Sequence, residues 1–286
     1  MHHLYLSPHF DDAVLSCGGM IHRQTRSGER VIVATICAGV PDPRPISPYA
    51  ARLHARWGYP PEAGADTAAV VAQRRAEDAA ALARLGVEGA YLDVPDVIYR
   101  RSQRADWVVH DDASLFSGFH PGEDALVDAL ATRFQALIAG SGGESPHAVP
   151  IPTIYAPLGV GNHADHALVR RAAERWAGRQ AGIAEQLVFY EDYPYAADQR
   201  AIEAVIGPFP DGSAGSSRPA WHSTTITLDE ADLVAKIEAI AAYASQISSF
   251  WVDTAAMADA VRVFAGQRGR AGTAGERVWR PWVPGG

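Results

Sequence analysis

The chain has 286 residues, a formal charge of −8 and a hydrophobic fraction of 48%, with a mean hydropathy of −0.09. That suffices for one large α/β domain, or two small ones, around a substantial core. The negative charge argues against a general nucleic-acid binder, which needs a basic stripe, and no apolar run approaches the roughly 20 residues that span a bilayer. The two cysteines, Cys17 and Cys37, suit a reducing compartment. Met1-His2-His3 runs straight into an apolar stretch, so a cytoplasmic protein without a secretory leader or membrane contact is expected.

Leu4 to Ser7 reads as a strand and Ala13 to Ser27 as a helix closed by Gly28. Arg30 to Ala38 is a β-branched, near-continuous apolar run, the pattern of a strand buried on both faces. Residues 39–61 are rich in proline and aromatics without periodicity and read as a long functional loop. A helix is expected over Thr67 to Leu85, a strand over Ala90 to Val94, and an irregular polar and aromatic segment over 97–120. Pro121-Gly122-Glu123 opens a helix to Ile138, and residues 141–146 form a loop. Thr153 to Ala156 is a strand, Ala167 to Trp176 a helix and Gln186 to Tyr190 a buried strand.

Beyond these come a Gly/Pro/Ser loop over 207–219, a strand over Thr224 to Leu228 and a helix over Asp229 to Ser245 capped by Asp229. Residues 266–275 read as a mobile tail that Trp279 and Trp282 dock back. The alternation of strands and helices predicts a Rossmann-like three-layer α/β sandwich with a mostly parallel sheet. The expected organisation is one domain over 1–286, with a core of about 1–200 and a C-terminal extension of about 201–286 packed on it.

Chemistry concentrates at two strand-to-helix junctions. In Ser7-Pro8-His9-Phe10-Asp11-Asp12, His9 and Asp12 are three apart and can face one point, while Asp11 projects elsewhere. Taken alone, Asp11 or Asp12 as a plain helix cap accounts for the segment equally well. His163, Asp165 and His166 repeat the arrangement after a later strand. A crevice at the carboxyl ends of a parallel sheet would bring the two clusters together, and two imidazoles with one carboxylate make a normal catalytic zinc set.

The segments SPHFDDAVLSCGG (7–19), RRAEDAAALARLGV (74–87) and NHADH (162–166) resemble the PIG-L/LmbE-like family of zinc-dependent N-deacetylases. YEDYPY (190–195) is similar to a segment in part of that family. The resemblance covers about residues 4–195. It implies a Zn2+ cofactor held by His9, Asp12 and His166, with Asp11 as general base. It further implies that His163, protonated and oriented by Asp165, stabilises the oxyanion or protonates the leaving amine, and that Arg74 holds substrate hydroxyls or phosphate. The implied substrate is an N-acetylglucosamine-type amino sugar or a glycoconjugate, and self-association into a homo-oligomer is left open. Phe10 and Ala13 depart from the family pattern, which commonly has proline and glutamate there.

Further residues carry two readings each. Arg74 suits an ion pair with Glu77 or another buried carboxylate as well as a substrate contact. Asp96, after a strand end, either binds sugar hydroxyls or caps a turn. Glu191 and Asp192 read as supports of the crevice. His110-Asp111-Asp112 follows no strand and reads as a surface or lid loop, with Trp107, Phe116 and Phe119 either stacking on a sugar or pinning that loop. Two rival functions stand beside deacetylation. One is a sugar- or nucleotide-binding module, disfavoured because no G-x-G-x-x-G follows the first strand. The other is cleavage of a different amide, such as a thiol conjugate, decided by the loops 39–66 and 97–120.

Overall fold

The computed structural model describes residues 2–42, 45–60, 66–140, 153–180, 184–207, 221–270 and 272–281. Its strands are β1 (His2–Ser7), β2 (Arg30–Thr35), β3 (Glu88–Tyr91), β4 (Thr153–Pro157), β5 (Leu187–Tyr190), β6 (Trp221–Leu228) and β7 (Ala274–Pro281). The helices are α1 (Asp12–Arg26), α2 (Pro48–Arg56), α3 (Thr67–Arg84), α4 (Asp112–Leu115), α5 (Asp124–Gly140), α6 (Ala164–Gly178), α7 (Gln199–Ile206), α8 (Glu230–Ile240), α9 (Ala244–Phe250) and α10 (Thr254–Arg268).

Among the described residues the sheet has seven strands in the order β3-β2-β1-β4-β5-β7-β6. The first five are mutually parallel, in registers that set Leu4 beside Ile32 and beside Ile154. Every residue of β5 is buried, and so is all of β1 beyond His2. Such runs lack polar alternation, as burial on both faces requires. Right-handed crossovers fix the layers: α1 and α3 pack with α8 on one face, and α5 packs with α6 on the other. The Rossmann-like three-layer expectation holds. Among the described residues no helix is long and apolar enough to cross a membrane.

Three expectations change. Residues 39–61 are not all loop: Ser47 caps α2, accepting from the Ala50 amide at 3.0 Å, with Pro48 in the first turn. Tyr49, Ala50 and Leu53 of this helix join Val97, Ile98, Val109 and Leu115 in a small second core. At nine residues, α2 is too short to announce itself by period. The helix expected over 229–245 is broken at Tyr243, whose backbone (φ −81°, ψ 58°) is not helical and whose hydroxyl donates to Asp78 Oδ1 at 2.7 Å. Finally, the described residues of 266–275 are no tail. α10 continues to Arg268, and β7 enters the sheet between β5 and β6, antiparallel to both. The expected loops at 141–146 and over most of 207–219, and the docking of Trp282, lie outside the described residues.

Candidate active site

β1 and β4 are neighbours at the point where the strand order reverses, β1 leading on to β2 and β3 and β4 to β5. A crevice opens there beyond the carboxyl ends. The turn after β1 is fixed locally: Ser7 Oγ donates to the His9 carbonyl at 2.6 Å and accepts from the Ala13 amide at 3.0 Å. Asp11 occupies the N-cap position of α1 without a side-chain capping bond, and the Asp12 carboxylate accepts from the His9 amide at 2.7 Å. Neither aspartate is spent on capping the helix. After β4, Gly159, Gly161 and Asn162 all take left-handed backbone. At Gly161 a Cβ would stand 2.7 Å from Tyr195 Cγ, so the turn that delivers His163 to the head of α6 needs glycine there.

The two junctions converge on one carboxylate. Asp12 Oδ2 lies 3.0 Å from His9 Nδ1, and Asp12 Oδ1 lies 3.3 Å from His166 Nε2. The far nitrogen of each ring also meets a carboxylate: His9 Nε2 faces Asp165 Oδ2 at 3.0 Å, and His166 Nδ1 faces Asp192 Oδ1 at 2.7 Å. Ligand nitrogens of His9, His163 and His166 lie within 4.8 Å of one another. Burial opposes the charged form of all these groups. Even so, Asp96 and Asp12 hold His9 well above the imidazole range, and Asp12 and Asp192 push His166 up to about 10. The same two rings hold Asp12 well below the carboxylate range.

This donor set fits a metal ion such as zinc. Two imidazoles and one carboxylate face one another, and each imidazole is fixed from behind by an acceptor, as metal-binding histidines almost always are. A third neighbour, His163, is set differently. Its Nδ1 accepts from the Asp165 amide at 3.2 Å, which leaves the proton on Nε2. Burial, then the His9 and His166 charges, push this ring well below the usual range. In that tautomer Nε2 is the side of the ring free to donate. The Asp165 side chain does not bond to it, because that carboxylate is taken up by His9, the Val97 amide at 2.9 Å and Arg100 Nη1 at 2.6 Å.

Asp11, Arg74 and Asp96 form the adjoining wall. Arg74 Nη2 is 3.8 Å from Asp11 Oδ1, and Arg74 Nη1 is 3.6 Å from Asp96 Oδ2. The guanidinium sits over the Trp57 ring at 4.6 Å and the Phe10 ring at 5.5 Å. Phe10 thus supports Arg74, while Ala13 is buried under the first turn. Glu77 is not the partner of Arg74; it accepts from the Ser245 hydroxyl at 2.6 Å and the Ser245 amide at 3.1 Å. Burial, then Asp12, push the Asp11 carboxyl up, with Arg74 opposing. Asp96 accepts from the Ile98 amide at 3.1 Å and stands 3.7 Å from His9 Nε2. These groups line a cavity of about 370 Å³ together with His163, Tyr49, Leu53 and Tyr195.

Phe116 is at the cavity, 5.6 Å from the His163 ring, but Trp107 lies under Arg101 and Phe119 under Arg171. His110 is exposed and Asp111 caps α4, whereas Asp112 reaches the cavity lip as acceptor for the Tyr49 hydroxyl at 2.8 Å. Glu191 holds Arg268, Arg277 and Trp279, and only Asp192 supports the crevice directly. Arg100, Tyr49 and Phe250 gave no signal in the sequence, lying in or beside segments without period.

Residues 4–177 match the PIG-L family, described as GlcNAc-PI de-N-acetylase. The chain belongs to this family. It is 27% identical over 197 residues to a 2'-N-acetylparomamine deacetylase of Niallia circulans, covering 67% of this chain and 66% of the relative. A 2'-N-acetylparomamine deacetylase of Streptomyces fradiae is 27% identical over 203 residues, covering 70% and 60%. The match thus spans somewhat under two thirds of the length of either relative. Among solved structures, the zinc-inhibited form of teicoplanin deacetylase Orf2 superposes with a TM-score of 0.75 at 27% identity, covering 98% of this chain and 97% of that one. The A40926 pseudoaglycone deacetylase Dbv21 superposes with a TM-score of 0.72 at 28% identity, covering 99% and 98%.

Proposed function

We propose that the protein is a metal-dependent hydrolase that removes an acyl group, acetyl above all, from the nitrogen of an N-acetylglucosamine-type amino sugar or its glycoconjugate. One observation carries the reading: His9 and His166 turn one nitrogen each onto Asp12 and are braced from behind by Asp165 and Asp192. Similarity to deacetylases of acetylated sugars supports the choice of substrate class. His9, Asp12 and His166 are the residues to hold Zn2+, which when bound would acidify a water and polarise the amide carbonyl.

The rest of the chemistry belongs to the chain's own side chains. Asp11, with its proton affinity raised by burial and Asp12, accepts a proton from the attacking water. The Nε2 proton of His163 is a donor for the carbonyl oxygen as negative charge develops on it, a contribution of about 3–4 kcal/mol where such donors have been removed. Having taken that proton, Asp11 can return it to the departing amine. Arg74 and Asp96, side by side at 3.6 Å, offer a donor and an acceptor to sugar hydroxyls.

The test is release of free amine from N-acetylglucosamine and its glycosides by the zinc-loaded protein. Asp11→Asn should lower kcat by about 10²–10⁴-fold, the span of general acid–base contributions, while leaving zinc binding in place. Full activity in that variant, or sugar binding with no amine release in the wild type, would overturn the reading.

A further inference from the structure

Arg100 follows β3 in a segment without sequence period, yet its side chain is 9% exposed and all three guanidinium nitrogens are engaged. Nε donates to Glu123 Oε1 at 2.6 Å and Nη2 to Glu123 Oε2 at 3.0 Å. Nη1 donates to the Pro95 carbonyl at 2.9 Å and lies 2.6 Å from Asp165 Oδ1. The bonds to Glu123 and Pro95 close the base of the 95–123 loop, which is a purely architectural task. The branch to Asp165 is not needed for that closure.

Asp165 is fully buried. Its Oδ2 accepts from the Val97 amide at 2.9 Å and faces His9 Nε2 at 3.0 Å. Arg100 thus sits against one oxygen as an ion-pair partner, and a backbone amide bonds the other. A carboxylate buried there without a cation would be strongly disfavoured. His166 is braced differently: its carboxylate, Asp192, takes the Val160 amide at 2.9 Å on the other oxygen. The brace of His9 therefore carries a side-chain cation from a loop, and the brace of His166 carries a backbone amide.

We propose that Arg100 is a positioning residue of the metal centre, fixing Asp165 so that Asp165 holds His9 with Nδ1 turned to Asp12. The inference rests on the reading of His9, Asp12 and His166 as the metal-holding set. It also makes the 95–123 loop, whose two ends meet on Arg100, continuous with that set.

Zinc affinity of the full chain, measured by competition with a chromophoric chelator, tests it without reference to turnover. Asp165→Asn should weaken zinc binding by about 10–100-fold, the cost of losing a partner that orients a metal-binding histidine. Arg100→Met should weaken it by about tenfold within that same range. Arg100→Lys keeps the charge but not the span from Glu123 to Asp165, and should weaken binding several-fold; it also decides the matter if the Met variant does not fold. The double variant Arg100→Met, Asp165→Asn should bind zinc no more weakly than Asp165→Asn alone, since one residue acts through the other. Folded Arg100 variants that bind zinc as the wild type does, or losses that multiply in the double variant, would overturn the proposal and leave the hydrolase reading intact. A wild type that binds no zinc would overturn both.

Discussion

Asp12 and His163 both stand beside His9 and His166, and they differ in what their polar atoms already do. Asp12 presents one oxygen to each of the two rings. His163 accepts a backbone amide at Nδ1, which suits Nε2 to donate rather than to bind a metal. Asp12→Ala should therefore abolish stoichiometric zinc binding. His163→Ala should retain zinc and lower kcat by about 10²–10³-fold, the cost of one oxyanion donor. Zinc content by metal analysis, set beside kcat for both variants, separates the roles; loss of zinc in His163→Ala would make that ring a ligand. The clustering of these residues was legible in the sequence because two strand-ending apolar runs break into polar turns at matching topological places. Arg100 was not, since nothing local marks an arginine whose partners lie 23 and 65 residues away in sequence.

At the scale of elements, α3 carries a buried carboxyl with a consequence for stability. Asp78 is packed between Tyr243, whose hydroxyl donates at 2.7 Å, and Thr35 at 3.4 Å. Burial pushes its carboxyl up to about 7 against these hydrogen bonds. The folded chain thus binds this proton more tightly than the unfolded chain, whose carboxyl titrates near 4. Stability from this group is complete below about pH 4, falls as pH rises to about 7 and is flat above, a change on the order of 4 kcal/mol. Asp78→Asn should remove that slope. Urea midpoints of wild type and variant between pH 4 and 8 check it, and parallel curves would place the carboxyl in its ordinary range. Long helices such as α3 were readable from period alone. α2 and the α8/α9 break were not, because one is too short and the other is a single non-helical residue, Tyr243, within a helical pattern.

At the scale of the whole molecule, the sequence suggests a core of about 200 residues with an appendage, and the sheet suggests that the appendage is structural. β7 pairs with β5 through Phe189 beside Trp279 and Tyr190 beside Val278, so removing it leaves a fully buried strand as an open edge. Glu191 would lose Arg268 at 2.6 Å, Arg277 at 2.5 Å and the Trp279 indole at 2.9 Å. On the other side of the sheet, Lys236 bonds Glu276 at 2.7 Å, and Glu276 accepts from the Gly19 and Met20 amides inside α1. The approach there is close enough that a Cβ on Gly19 would lie 2.5 Å from Leu228 Cδ1, which accounts for a glycine within a helix. Breaking a buried ion pair by removing one partner costs about 3–5 kcal/mol, against a total stability of about 5–15 kcal/mol for a folded domain. Cutting the chain after residue 207 leaves Glu191 buried without its cations and strips α1 of both Lys236 and Glu276. A fragment of residues 1–207 should therefore show no cooperative urea transition and no zinc binding, although it contains every residue assigned to the metal and the substrate. Circular dichroism in urea and a chelator competition on the purified fragment test this. A cooperative, zinc-binding fragment would mean that the first five strands fold alone and that β6 and β7 only cover them.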